Sequence, residues 1–153
     1  MPTNETLAGT SVSGSHIGPQ ASKRLAAMLK DEDLAQCVPG LVAAAEAANA
    51  IPVAVQLVDA DGKALKSIRR LLCQVFDADF EPGIEAELTM AETGAGSEVS
   101  TSAKSSLLID TDANGVAEVT VTDVSGALAA TVWLKVSPVN GLGAPSVVGL
   151  TFA

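Results

Sequence analysis

Two short runs of alternating apolar and polar residues, joined by a polar turn, constrain this chain more than any other feature. They form the segment SLLIDTDANGVAEVTVT at residues 106–122. A period of two is the pattern of a β-strand with one buried face, and clustered Asp, Asn and Gly residues are typical of a turn. The segment therefore predicts two strands joined by a tight turn, within a mostly β domain.

The apolar spacing also predicts how these two strands pair. A three-residue hairpin loop at 113–115 would place four large side chains on one face, in the opposed pairs Ile109–Val119 and Leu107–Val121. A two-residue loop would mix the faces, because a shift of one residue turns a whole apolar set outwards. We therefore predict the longer loop, with Gly115 in the left-handed conformation.

Alternating runs recur through the rest of the chain after Pro52. Residues 87–91 are a weaker strand candidate, and the polar stretch 92–106 is predicted to be a loop. Five to seven short strands separated by turns predict an antiparallel β-sandwich over residues 51–153, with immunoglobulin-like architecture but without the Cys–Trp–Cys signature. The side chains predicted to point inwards are Val53, Val55 and Leu57; Leu71, Cys73 and Val75; Val132, Leu134 and Val136; and Val148, Leu150 and Phe152.

The first 50 residues have a different composition. Residues 1–18 are rich in Ser, Thr, Gly and Asn, which predicts a flexible, extended arm. Residues 19–50 form a predicted helical segment, with one helix from Pro19 to Val38 and a second, Ala-rich helix over 41–50. Helices this short are marginal in water, so we expect them to pack on the sandwich, on another copy or on a partner.

Charge and composition exclude several classes of protein. The net charge of −9 argues against nucleic-acid binding, which needs clustered Lys and Arg. No apolar run approaches the ~20 residues that cross a bilayer, and the N-terminus lacks the pattern of a secretory signal. Cys37 and Cys73 are too few for a disulfide scaffold. We predict that both are free, buried thiols in a protein made in a reducing cytosol.

One motif raises the possibility of a metal site. Residues 110–115, DTDANG, match the opening of a calcium-binding loop, whose twelfth position should be a bidentate Glu. That position is Val121 here. The alternative is a turn in which the Asp and Asn side chains cap backbone amides. The sequence favours the turn and leaves calcium open.

Candidate catalytic residues are few. Asp77, Asp79 and Glu81 could act as paired carboxylates in a cleft, but a solvated loop, or partners for Lys63, Lys66, Arg69 and Arg70, is the simpler interpretation. His16 stands in the polar arm without a neighbouring Cys or His, and no nucleophile or phosphate-binding motif is present. We expect no enzyme activity, no cofactor and no metal.

Trp133 is the most informative apolar residue. Its neighbours Val132 and Leu134 fill the inward face, so its indole is predicted on the outer face, between Thr131 and Lys135. Outward aromatic residues are frequent interface anchors. The alternative is that the helices or the long loop of the same chain cover it.

The order of these motifs resembles a family of tailed-bacteriophage head-fibre and capsid decoration proteins that contain an immunoglobulin-like β-sandwich. The resemblance covers residues 51–153 and rests on five segments: VAVQLVDADGKAL, RRLLCQVFDADFEPG, LLIDTDANGVAEVTVTD, TVWLKVSP and SVVGLTFA. It implies a non-enzymatic virion protein on the capsid surface, made in the host cytoplasm. Such a protein would attach to the major capsid protein through its N-terminal region, as a homo-oligomer and most simply a trimer.

Under this interpretation the N-terminal region and one outward aromatic residue would make the contacts. The candidate interface residues are Thr3, Leu7, Val12, Ile17, Leu25, Met28, Leu29 and Trp133. The principal alternative is a fibre or tail adhesin module that binds host-surface glycan through Trp133. A calcium-stiffened adhesin repeat and, last, a hydrolase built on Asp77 and Asp79 remain as further alternatives.

Overall fold

The computed structural model describes residues 36–77, 88–103, 106–139 and 143–153. Within these ranges there are nine β-strands and no helix, and hence none that is long and apolar enough to cross a membrane. The strands are β1 (Val38–Ala43), β2 (Ala50–Val58), β3 (Arg70–Phe76), β4 (Leu88–Glu92), β5 (Ser97–Ala103), β6 (Ser106–Asp110), β7 (Val116–Asp123), β8 (Thr131–Pro138) and β9 (Ser146–Thr151).

The strands form two antiparallel sheets in a sandwich-like arrangement, as predicted. One sheet has four strands in the order β1-β2-β7-β4, and the other has five in the order β5-β6-β3-β8-β9. Alternate side chains of the inner strands β2, β3, β7 and β8 are buried between the sheets. The mostly β fold class is therefore confirmed for the described part of the chain.

The predicted core residues are also confirmed. The triplets of β2, β3 and β8 are buried, Leu150 and Phe152 are buried at the end of the chain, and Val148 packs partly buried against them. Burying one such Val or Leu side chain contributes about 1.5–3 kcal/mol. Many medium-sized residues, and few aromatic ones, therefore hold the sheets together.

The predicted hairpin at 106–122 is wrong, although its turn is correct. β6 pairs with β3 and β5, whereas β7 pairs with β2 and β4, so the two strands belong to different sheets. Ile109 and Val119 are both buried because they face the same core from opposite sides. β6 and β7 do not pair with each other, because both edges of each strand are hydrogen-bonded to other strands. Gly115, with φ 73°, has the predicted left-handed conformation.

The helix predicted over 41–50 is wrong as well, and the sandwich begins before residue 51. Residues 38–43 are strand β1, antiparallel to β2, and Leu41 packs against the core. Ala48 and Asn49 both have positive φ, 54° and 64°, which closes a two-residue turn between the strands. Strand β2 supplies hydrogen-bonding partners for the backbone of β1, and this pairing outweighs the high helix propensity of Ala. The predicted arm and the predicted helix up to residue 35 lie outside the described residues.

The polar stretch 92–106 is not a loop throughout. Residues 97–103 form strand β5 at the edge of the five-stranded sheet, paired with β6 through a register that shifts twice. An edge strand with irregular pairing needs no apolar alternation, because it contributes little to the core. The weaker candidate at 87–91 is confirmed as strand β4, which buries Leu88 and Met90.

Candidate functional site on the outer face of the five-stranded sheet

Large side chains outside the core gather on the outer face of the five-stranded sheet. Three rows of cross-strand neighbours cover it: Phe76–Trp133–Gly149, Gln74–Lys135–Val147, and Leu108–Leu72–Ser137. We refer to these nine residues as the Trp133 face. The outer face of the four-stranded sheet has smaller side chains at its centre, among them Pro52, Ala54, Ala91 and Thr120. Among the described residues of the two outer faces, the Trp133 face thus combines aromatic and long polar side chains.

The six-membered ring of the Trp133 indole packs against Gly149 of the neighbouring strand β9. A Cβ atom added to Gly149 would stand 3.0 Å from Cζ3 of the indole and 3.4 Å from both Cε3 and Cη2. The two flanking atoms are nearly as close as the central one, which is the geometry of a ring seen face-on. An edge-on ring would place them much farther away. Gly149 thus forms the seat of the indole, because a Cβ there would be a tight contact from which the ring would have to shift by a few tenths of an ångström.

Two described cations of this outer sheet surface differ in their partners. The guanidinium of Arg70 donates two hydrogen bonds to Asp110, at 2.8 and 2.9 Å, and this pairing holds the pKa of Asp110 below its usual range. Lys135, between Gln74 and Val147, has no carboxylate within ion-pair distance among the described residues. Among the described cations of this surface, Lys135 is thus the one without a carboxylate partner.

Of the predicted interface residues, only Trp133 is among the residues that the structure describes. Trp133 lies on the outer face, partly buried, in the position that the alternation of β8 predicts. Its role as an interface anchor stays a prediction. The other predicted contacts, Thr3, Leu7, Val12, Ile17, Leu25, Met28 and Leu29, lie outside the described residues, as do His16, Asp79 and Glu81.

The calcium-like motif forms a hydrogen-bonded turn. Asp112 Oδ1 accepts the backbone N–H of Asn114 at 2.8 Å and that of Val116 at 2.9 Å. These bonds, that of Val116 foremost, lower the pKa of the Asp112 carboxyl. With Asp110 engaged by Arg70, the arrangement supports the turn interpretation. The described ranges contain no group of three His, Cys, Asp or Glu residues that could hold a metal ion.

Asp123 organises a second turn and makes stability depend on pH. Its Oδ1 accepts the hydroxyl and the backbone N–H of Ser125, at 2.7 and 2.9 Å, and its Oδ2 accepts the N–H of Leu128 at 2.9 Å. These bonds, first that of the Ser125 hydroxyl, lower the pKa of Asp123. A lowered folded-state pKa contributes stability above the unfolded value of ~3.9, and this contribution is lost as the pH falls through the folded-state value.

We therefore expect Asp123→Asn to melt below the wild-type temperature at pH 7. The difference should narrow as the pH falls from ~3.9, where the unfolded chain takes up the proton, through the lower folded-state pKa of Asp123. Thermal melts between pH 7 and 2.5 measure this. Asp61→Asn is the matched control, because the exposed Asp61 carboxylate accepts no hydrogen bond from the described residues. A wild-type–variant difference that stays constant with pH would contradict the assignment.

The sequence analysis missed a buried polar cluster around Arg69. Arg69 is only 5% exposed, its Nε donates to Ser67 Oγ at 3.1 Å, and its backbone N–H donates to Thr111 Oγ1 at 2.8 Å. A pairing of Arg69 with the acidic residues after β3 stays a prediction; what the sequence analysis did not predict is that Arg69 is buried. The sequence does carry a sign of this cluster. Every second residue before β3 is buried, so the alternation of the strand extends into the preceding loop through Leu65, Ser67 and Arg69. The cluster anchors that loop to the turn that follows β6.

Both cysteines are free and buried, as predicted. Burial raises the pKa of the Cys73 thiol to about 12. Burial also raises the pKa of Cys37, against the opposing effect of the Arg69 guanidinium, whose Nη1 lies 3.8 Å from its sulfur. Because the thiolate is the reactive form, neither residue is placed to act as a nucleophile.

Comparison with known proteins adds little to this description. No protein-family model matches the chain, and no curated protein matches it. Two solved structures of Parabacteroides merdae β-glucuronidase are similar to it, one of them with glycerol in the active site. In each case the TM-score is 0.44 and the identity 17%, over 76% of this chain and 12% of the glucuronidase chain. The described part of the chain is thus defined as a two-sheet antiparallel β protein by its own architecture.

Proposed function

We propose that this chain is a non-enzymatic structural protein of a tailed-bacteriophage virion, a capsid decoration or head-fibre subunit. The main support for the proposal is the position in the fold of the five segments that carry the resemblance. The five segments correspond in order to β2, β3, β6 with β7, β8 and β9. They therefore build two of the four strands of one sheet and four of the five strands of the other, including the closing strand.

The strand order supports the finer proposal of an immunoglobulin-like sandwich. In an immunoglobulin constant-type domain, strands A-B-E-D form one sheet and C-F-G the other. The orders β1-β2-β7-β4 and β3-β8-β9 reproduce these two sheets strand for strand. Strands β5 and β6 are then an insertion between D and E that widens the second sheet beside strand C.

In this proposal the sandwich is the displayed part of the subunit on the capsid surface, and the N-terminal region attaches to the major capsid protein. Ordering a polar arm on a shell costs roughly 1–2 kcal/mol for each residue that is fixed. Several arms in one assembly offset that cost through effective concentration, and the resemblance implies that this assembly is a homotrimer. The net charge of −9 would keep decorated particles mutually repulsive.

The test is co-sedimentation of the purified chain with empty shells of the major capsid protein from the same phage genome. We expect saturable binding by the full chain and loss of binding after deletion of residues 2–18. Light scattering of the free chain should give three chain masses. A second variant replaces Thr3, Leu7, Val12 and Ile17 by Ser. It keeps the length of the arm and removes its proposed contacts, so it should lose binding as the deletion does.

Circular dichroism and thermal melting should be unchanged in the deletion and in the Ser variant, because neither alters the sandwich. A full chain that does not co-sediment would refute the decoration function. A deletion variant that binds as tightly as the full chain would refute attachment through the arm.

A further inference from the structure

We propose that Asn114 is a site of spontaneous covalent modification, a deamidation through a cyclic imide, and that the folded turn between β6 and β7 protects it. The reacting group is the Asn114–Gly115 dipeptide of the chain itself, and the co-reactant is water. This inference does not depend on attachment to a capsid or on any property of the Trp133 face.

The reaction needs only the two residues of this dipeptide. The backbone nitrogen of Gly115 attacks Cγ of Asn114, the bond from Cγ to Nδ2 breaks, and the proton of the attacking N–H leaves with the amide as ammonia. Water then opens the imide at either of its two carbonyls. Opening at Cγ leaves a normal aspartate, whereas opening at the backbone carbonyl leaves an isoaspartate, whose main chain is one carbon atom longer.

The sequence and the exposure of the turn both favour this chemistry. Asn is a chemically labile residue, and a following glycine has no side chain that would hinder ring closure. Asn114 is exposed, so water has access to it. What decides the rate is therefore how firmly the folded turn holds the attacking nitrogen.

Asp112 holds the reacting groups from within the turn. The backbone N–H of Gly115 donates to the carbonyl oxygen of Asp112 at 2.9 Å, and the N–H of Asn114 donates to Asp112 Oδ1 at 2.8 Å. The nitrogen of Gly115 must give up its proton and turn towards Cγ before it can attack. Its hydrogen bond to Asp112 consequently has to break first.

Strand β2 holds the same turn from the other side. The carbonyl oxygen of Gly115 accepts the N–H of Leu57 at 2.9 Å and Nε2 of Gln56 at 3.3 Å. Gly115 is thus fixed both by Asp112 and by a neighbouring strand. The reaction should therefore proceed from a locally opened state, which is a small fraction of the folded molecules.

An isoaspartate at position 114 would not fit the closed turn. Its longer main chain would have to lie between two strands that belong to different sheets and are fixed by their own partners. Gly115 has no room to move towards β2, because even an added Cβ would overlap the carbonyl oxygen of Leu65. A chain that has reacted to isoaspartate should therefore fail to close this turn again.

The turn after β2 provides a matched control, because it has the same hydrogen bonds without an Asn. Asp59 Oδ1 accepts the backbone N–H of Asp61 at 2.9 Å and that of Lys63 at 2.8 Å, and the carbonyl oxygen of Asp59 accepts the N–H of Gly62 at 3.0 Å. Asp112 makes the corresponding bonds in its own turn. Removing either carboxylate thus removes an equivalent cap.

The experiment compares deamidation of the full chain in buffer and in concentrated urea, at the same mildly alkaline pH, by mass spectrometry of tryptic peptides. The chain has two Asn–Gly pairs, and trypsin separates them: Asn114 lies in the peptide 105–135 and Asn140 in 136–153. In urea the two pairs should react at similar rates, because the dipeptide is the same. In buffer Asn114 should react at least about tenfold more slowly than in urea, since one or two hydrogen bonds must break first.

Variants separate protection by this turn from general stability. Asp112→Ala should raise the rate at Asn114 in buffer about five- to tenfold, whereas Asp59→Ala should leave it within about twofold. Gln56→Ala, which removes only the bond from β2, is the milder variant should Asp112→Ala fail to fold, and it should raise the rate about two- to fivefold. Asn114→Gln should abolish the signal of the peptide 105–135, and circular dichroism reports folding of each variant.

The fate of the product is measured on chains that have first reacted in urea and are then diluted into buffer. Size-exclusion chromatography separates the refolded chains, which should contain normal aspartate at position 114 and be depleted of isoaspartate. Three results would overturn the proposal: equal rates at Asn114 in buffer and in urea, equal effects of Asp112→Ala and Asp59→Ala, and an equal share of isoaspartate in refolded and unfolded chains.

Discussion

Replacing Gly115 by Ala is expected to lower the free energy of unfolding by about 2–5 kcal/mol, the sum of left-handed strain and overpacking. Gly115 has φ 73°, a conformation that costs any residue with a Cβ. The added Cβ would also overlap the carbonyl oxygen of Leu65. This backbone cannot move aside easily, because the N–H of Leu65 donates to the carbonyl of Leu57, and the N–H of Leu57 donates to Gly115 itself.

Gly62→Ala is the matched control for this experiment. Gly62 also has a positive φ, 82°, but a Cβ there would meet nothing within 4 Å. Its cost is therefore the conformational part alone, about 1–2 kcal/mol. Urea unfolding with linear extrapolation measures both variants. Equal losses for Gly62→Ala and Gly115→Ala would show that Gly115 is not packed against the Leu65 backbone and would contradict the turn described here.

The turn around Gly115 illustrates what the sequence could predict and what it could not. Alternation identified the buried side chains of β6 and β7, and the Asp/Asn/Gly stretch identified the turn. Both signals are local, and both were correct. The pairing was wrong because alternation shows which side chains are buried and not which sheet they belong to. Ile109 and Val119 satisfy the same pattern whether they share a sheet or face each other across the core.

The errors at β1 and β5 have a different physical origin. Both are edge strands, held on one side by a single neighbour, so their side chains are not required to alternate strictly. The Ala-rich stretch before β2 has a high helix propensity, yet propensity is a weak influence once a strand offers hydrogen bonds along its length. The serine-rich β5 likewise has no apolar signal. Its strand exists because β6 presents an open edge.

The candidate site was only partly predictable for a related reason. The outward direction of Trp133 follows from its neighbours along β8. Its seat on Gly149 depends on the register between β8 and β9, and its row partner Phe76 depends on that between β8 and β3. Neither register is encoded by spacing along one strand. In the proposed immunoglobulin-like order, the inserted strand β6 also widens this face by adding Leu108 beside Leu72.

Adjacent residues of β6 provide the second large expected effect and a direct test of its orientation. Leu107 is fully buried between the sheets, whereas Leu108 lies on the Trp133 face and is only partly buried. Leu107→Ala should lower the free energy of unfolding by about 2–5 kcal/mol through lost burial and the cavity that remains. Leu108→Ala removes the same atoms from a surface where little cavity can form, so we expect a loss of at most about 1 kcal/mol.

The two variants differ only in which side of one strand is truncated, so composition, helix propensity and unfolded-state effects are matched. Urea unfolding gives the free energies, and the denaturant slope should be the same for both variants. A register shifted by one residue would reverse the order of the two losses, because it would exchange the faces. A larger loss for Leu108→Ala than for Leu107→Ala would therefore remove β6 from its assigned place, and with it the edge of the Trp133 face.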